Sequence, residues 1–107
     1  MSGSFGEMGN LLKQAQEMQR KLDEAREKLK TEVLLGTGGG GVVSAKVDGN
    51  GDVQSIHIGE KAMESGDASM IEDLVLAALR DGLGQAERLR KERLGAVTGG
   101  LNLPGMF

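Results

Sequence analysis

The chain has no Cys, Trp or Tyr, a single Pro, and only two aromatic side chains, Phe5 and Phe107, in 107 residues. Without cysteine there is no disulfide, zinc–thiolate, iron–sulfur or thiol redox chemistry, which fits a reducing cytoplasm. The scarcity of aromatics leaves any core to Leu, Val, Ile, Met and Ala. It also argues against single-strand binding by base stacking. No run of about 18 apolar residues occurs, so no membrane span is expected. The opening Met1-Ser2-Gly3-Ser4 lacks the basic-then-apolar order of a signal peptide. The length fits one domain, and a compact monomer of this size would bury roughly 65% of its unfolded surface, a modest core.

What is present is glycine, 18 residues, and an uneven distribution of charge behind a net of -3. Residues 1–30 carry six Lys/Arg against five Asp/Glu, residues 31–79 two against eight, and residues 80–107 five against three. The net value argues against a uniformly basic nucleic-acid binder, but the acid is concentrated in the middle and both ends are mildly basic.

Met8, Leu11, Ala15, Met18, Leu22, Ala25 and Leu29 step alternately by three and four residues, a heptad seam. Good helix formers fill the intervening positions, and Glu17–Lys21 and Glu24–Lys28 stand in the favourable i,i+4 order. This predicts a helix over 8–31, with a stripe narrow enough to suit one partner helix.

The period then changes. Strands are expected at 31–35, 42–47 and 52–58, the last two joined by the tight-turn sequence Asp48-Gly49-Asn50-Gly51 into an antiparallel hairpin. The run Gly36–Gly41 reads as a link rather than the interior of a regular element. Val43, Ala45 and Val47 share one strand face, and Ile56 and Ile58 share one face of the next, with Val53, Ser55 and His57 opposite. A second long helix is expected over 68–95, capped by Asp67, with a seam of Ile71, Val75, Ala78, Gly82, Ala86 and Leu89. Gly82 on that seam would let another backbone approach closely. Residues 96–107 read as a flexible tail beyond a single domain spanning 1–95.

The fold class is therefore α+β, in the order α-β-β-β-α. A three-stranded sheet only about 20 Å long cannot cover both helices. They should project as an antiparallel pair, with Lys13 and Arg88–Arg93 in the same distal half. So small a sheet leaves apolar surface and strand edges open, which a C2 homodimer through the sheet would cover. Val43, Ala45, Val47, Ile56 and Ile58 are the candidate interface.

Several patterns carry less than their form suggests. Gly36-Thr37-Gly38-Gly39-Gly40-Gly41 matches G-x-G-x-x-G, but a strand follows where a dinucleotide site needs a helix, and Val42 stands where a phosphate loop needs Lys. Asp48-x-Asn50-x-Asp52 copies the start of a calcium loop, but Val53 and Gly59 occupy the required Gly and Glu positions. His57 has no second His or Cys for a metal site and no surroundings for a nucleophile–base pair with Ser55. No catalytic residues, metal, cofactor or small-molecule substrate are expected. The cations Lys13, Arg20, Lys21, Arg88, Arg90, Lys91 and Arg93 remain. From pattern alone they fit either a solvated, internally paired surface, as for Glu87–Lys91, or phosphate binding.

At several places the chain resembles the YbaB/EbfC family of small bacterial nucleoid-associated proteins. These are the opening helix from Gly9 to Gln19, Glu32-Val33 with Gly38–Val43, the segment Met70–Val75, and Leu103-Pro104-Gly105. The resemblance covers nearly the whole chain. It implies a tweezer-like homodimer whose sheets form the joint and whose helical pairs form prongs gripping double-stranded DNA. Such a protein would sit in the cytoplasm at the nucleoid and serve its organisation or gene expression. Lys13, Lys21, Lys91 and Arg93 fall where the family places basic character; Arg20, Arg88 and Arg90 join them by position and charge. The alternative is a coiled-coil adaptor that binds protein partners and little DNA.

Overall fold

The computed structural model describes residues 2–99, with side chains from residue 6 onward. Its elements are helix α1 (Ser2–Thr31), strand β1 (Val33–Gly38), a 3-10 turn (Gly39–Gly41), strands β2 (Val43–Asp48) and β3 (Val53–Ile58), a short helix α2 (Glu60–Glu64), and helix α3 (Ala68–Thr98). The sheet is antiparallel with order β1-β2-β3. The radius of gyration, 20.8 Å, far exceeds the ~13 Å of a compact chain of this length. The long axis spans 76 Å.

Two glycines expected in a link instead lie inside β1. α3 crosses the sheet so closely that a Cβ on Gly36 would stand 2.1 Å from the Ala78 carbonyl oxygen, and one on Gly38 would stand 2.3 Å from that of Leu74. The strand therefore continues through residues with no side chain, because any side chain would hold the helix off. Gly82 meets Gly36 from the other side, with Val47 beneath it. The link proper is Gly39–Gly41, where all three residues have positive φ, a region glycine enters without steric cost.

The core follows from this close approach. Val43, Ala45, Ala62 and Ala78 are buried together, with Val42, Leu74, Val75 and Leu79 packed around them. Small residues predominate because little space separates helix from sheet. At the hairpin turn Asp48 is buried, and its Oδ1 accepts from the N–H groups of Asn50 and Asp52. The turn grips the end of α1: the Gly49 N–H donates to the Leu29 carbonyl, and Asn50 Nδ2 to that of Arg26. Leu29 is fully buried there. Asp67 caps α3 by accepting from the N–H groups of Ser69 and Met70.

β3 departs from strict alternation. Lys46 pairs with Ser55 but Val47 with Val53, so Gln54 is an extra, bulged residue. Directly paired residues share a face, so Val53 lies with Ile56 and Ile58 rather than with His57.

The helices are antiparallel but overlap over a shorter length than expected. α3 spends most of its course on the sheet, and only its last turns meet α1. Arg93 bonds Glu32 at the end of α1, and Val97 lies in a cleft with Lys21 and Ala25. Residues 6–17 of α1 are exposed throughout. Residues 96–98, expected in a flexible tail, continue α3; the expectation for 100–107 falls outside the described residues. α1 also starts six residues before the predicted boundary, since a nucleated helix propagates at one hydrogen bond per added residue.

Candidate nucleic-acid interface

The seven candidate cations do not gather in one place. Lys13 lies on the uncovered half of α1, whereas the cations of α3 stand beside the base of α1 and the sheet. Arg93 is level with Glu32, nineteen residues beyond Lys13, roughly 28 Å along a helix axis. The expected sharing of one distal half is thus corrected. α3 is consumed by the sheet before it can run far along α1.

Within α3 the cations also diverge, as residues one and two apart must on a helix. Arg88 lies on the flank of Asp81, over the free edge of β1, and feels its charge. Arg90 points to the other flank, where its Nη1 donates to the Asn50 carbonyl at the hairpin turn. Lys91 pairs with Glu87 at 3.1 Å. This pairing holds the Glu87 carboxyl below its usual range. Arg20 is bound by Glu17 and Glu24, and hydrogen bonding to Glu17 raises its pKa further. Arg20 and Lys91 belong to solvated, internally neutralised pairs, whose attraction water and salt largely screen.

One group of cations does converge. A cleft of about 250 Å³ between α1 and α3 is lined by Lys21, Glu24, Ala25, Lys28, Arg93 and Val97. Lys21 and Lys28 stand one heptad apart on either side of Ala25, and Arg93 enters from α3. Among the described residues neither lysine takes part in an ion pair. Arg93 bonds Glu32 at 2.8 Å with both side chains part-exposed. The sequence reading missed Lys28 by assigning it to a pair with Glu24; its seven-residue spacing from Lys21 was the available signal. Lys21, Lys28 and Arg93 thus converge on one cleft, with Glu24 on its wall and Glu32 bonded to Arg93.

The candidate dimer residues divide as well. Val43, Ala45 and Val47 are 0–1% exposed, buried beneath α3 within the chain, and so are core rather than surface. Ile56 and Ile58 are 44% and 36% exposed, because α3 covers β1 and β2 and leaves β3 bare. Val53, brought round by the bulge, joins them. On the flank of α3 toward the hairpin turn, Leu76 and Leu83 are exposed one heptad apart, with Leu83 reaching Gly51. Met63 of α2 is also exposed.

The sheet's two edges are treated differently. Along β1, Asp81 Oδ2 accepts from the Thr37 N–H at 2.9 Å and Gln85 Nε2 donates to the Leu35 carbonyl at 2.9 Å. Side chains one turn apart on α3 thereby stand in for a neighbouring strand. The Thr37 hydrogen bond, then Gln85, holds the Asp81 carboxyl below its ordinary value. This pair carried no strand-pairing signal in the sequence, since its partner lies 44 residues away.

Comparison with known proteins places this geometry. The model of the YbaB/EbfC DNA-binding family matches residues 5–101. The chain is 38% identical over 105 residues to nucleoid-associated protein TTE0040 of Caldanaerobacter subterraneus subsp. tengcongensis, covering 98% of this chain and 94% of that one. It is 40% identical over 97 residues to nucleoid-associated protein lpp2803 of Legionella pneumophila, covering 91% and 86%. The crystal structure of the uncharacterized protein HP0035 from Helicobacter pylori is similar with a TM-score of 0.71 at 26% identity, over 92% of this chain and 97% of that one.

Proposed function

The chain belongs to the YbaB/EbfC DNA-binding family, and on that premise we propose that it is a non-enzymatic, nucleoid-associated protein that grips double-stranded DNA as a homodimer. The observation that carries the reading is the cleft where Lys21, Lys28 and Arg93 converge from two helices. Phosphate contacts position such a protein and carry little sequence information. Lys13, Arg20, Arg88, Arg90 and Lys91 lie outside the cleft, and Arg20 and Lys91 are already paired with glutamates, so the grip is assigned to the three cleft cations. With a net charge of -3 the grip is local and salt-sensitive.

The bare β3 supports the dimer. Its edge is open while that of β1 is capped, and Val53, Ile56, Ile58, Leu76, Leu83 and Met63 form an apolar strip beside it. Two copies packed strip to strip about a twofold axis would cover both strips and carry two α1 arms. The cell-level role is organisation of the nucleoid or control of gene expression, in the cytoplasm.

The test is the affinity for random-sequence duplex DNA at several salt concentrations, alongside the mass in solution. Log K should fall against log salt with a slope of about -0.9 for each phosphate neutralised. K21A/K28A/R93A should flatten that slope while keeping the dimer mass, and I56K should shift the mass toward the monomer. A salt-independent affinity removes the phosphate grip. A monomer at all concentrations removes the dimer.

A further inference from the structure

We propose that the free half of α1 pairs with the same stretch of a second copy as a short antiparallel coiled coil, centred between Leu11 and Ala15. The inference depends neither on the DNA reading nor on contact through β3. The seam of α1 runs from Met8 to Leu29, but α3 serves only its latter part, where Val97 meets Lys21 and Ala25. Met8, Leu11 and Leu12 are 67%, 64% and 60% exposed and line one shallow apolar hollow. The stripe is narrow and steps by three and four residues, the spacing of a surface that meets one helix rather than a broad core.

The residues flanking the seam identify the partner and its direction, because such positions set partner choice and orientation in a coiled coil. Every residue between Glu7 and Lys21 that borders the seam is uncharged, Leu12, Gln14 and Gln19 included, and Lys13, Glu17 and Arg20 fall on the opposite side of the helix. In an antiparallel pair Met8 meets Met18 of the second copy, Leu11 meets its Ala15, and the two Leu12 side chains flank the twofold axis. Glu7 then falls beside Lys21 of the second copy, and the axis repeats this opposite-charge pair at the other end. Both charges are available for it. Glu7 has no cation three or four residues away on α1, unlike Glu17, Asp23, Glu24 and Glu27. Glu17 and Glu24, the acids nearest Lys21 on its own helix, are both bound by Arg20. A parallel pair would instead set Lys21 against Arg26 of the second copy, like charge against like. The paired stretch, Met8 to Met18, is about 15 Å long and ends short of Ala25, where α3 takes up the seam.

The absence of cysteine makes the test clean. Full chains carrying L11C and full chains carrying A15C are mixed in equal parts without DNA and oxidised, and the linked peptides are identified by mass. Antiparallel pairing puts residues 11 and 15 level, whereas like-with-like cysteines are offset by about 6 Å along the axis, beyond ready bridging. Predominant 11–15 links support the proposal. Predominant 11–11 and 15–15 links mean a parallel pair, and the absence of links means that no second α1 occupies the stripe; either result overturns it. Charge reversal then tests the register and leaves the apolar seam untouched. Introduced into both cysteine-bearing chains, E7K or K21E should lower the initial rate of 11–15 linking about fivefold, the combined effect of two exposed ion pairs. E7K and K21E together should restore it. A double reversal that links no faster than either single one overturns the proposal.

Discussion

Replacing Gly36 by Ala adds one methyl group to a strand whose backbone accepts any residue, so the change isolates the approach of α3 to the sheet. The new Cβ would stand 2.1 Å from the Ala78 carbonyl oxygen, 2.3 Å from the Gly82 nitrogen and 2.7 Å from the Gly82 Cα. These are backbone atoms on a helix, which cannot swing aside as a side chain does. Ordinary contact begins near 3.4 Å, so the helix must retreat by roughly 1.3 Å. A gap of 0.5–1 Å already forfeits about a quarter to a half of each dispersion contact, and here the contacts of Val43, Ala45, Val47 and Ala78 loosen together. Overpacking costs about 1–3 kcal/mol, and rigid backbone on both sides places G36A near the upper end, ~3 kcal/mol. For a domain of this size that is a fall in Tm of roughly 12–24 °C. Thermal unfolding by circular dichroism, at one fixed protein concentration because the proposed dimer would make Tm depend on it, measures the shift. The retreat would also carry Arg93 away from Glu32 and widen the cleft, so affinity for duplex DNA should fall with stability. A G36A protein that melts within about 2 °C of the parent would refute the reasoning, since it would mean that helix and sheet are not in backbone contact.

The partner glycine should behave differently. A Cβ on Gly82 meets Gly36 N and the two Val47 Cγ atoms at 3.4 Å, the border of ordinary contact. Ala also gains about 1 kcal/mol of helix propensity over Gly. G82A should therefore change stability by less than about 1 kcal/mol in urea titration, and a loss as large as that of G36A would contradict the distances. Asp81 supplies a pH dependence of defined sign. Its folded pKa lies below the ordinary value, chiefly through the Thr37 N–H. The hydrogen bond therefore adds stability above the ordinary Asp range, which is lost as pH falls through the depressed value, below about pH 4. In D81N that acid-dependent part should vanish, and the protection of the Thr37 amide from exchange, taken relative to its intrinsic rate at each pH, should no longer fall more steeply than that of neighbouring residues on acidification. An unchanged acid profile would place the shift elsewhere.

Much of this architecture was legible in the sequence because it rests on local signals. The helix over 8–31, the Asp-Gly-Asn-Gly turn and the Asp67 cap act through residues at most a few positions apart, and each lies where the pattern put it, though only the latter part of the seam from Met8 to Leu29 is covered by α3. β1 was placed short because glycine is disfavoured in strands on average, and the reason it is needed at Gly36 and Gly38 lies across the sheet in α3. The face of Val53 was misread because a bulge at Gln54 breaks a period of two without a local marker. Of the candidate site, charge marked cations on both long helices but not which of them meet in the cleft.

The sequence by itself determined the kinds of element, their order, the lack of thiol chemistry and the placement of basic residues on two long helices. Periodicity, turn residues and composition act along the chain and need no partner. Only the tertiary structure decided that α3 covers β1 and β2 and leaves β3 bare. Val43, Ala45 and Val47 are therefore core, whereas Ile56 and Ile58 are surface. It likewise decided that Lys21 and Lys28 face Arg93 while Lys13 stands outside the cleft, about 12 Å along α1 from Lys21. The physical reason is the single close approach of Gly36, Gly38 and Gly82. Three residues without side chains fix the height and course of α3, and with them the length left over to meet α1.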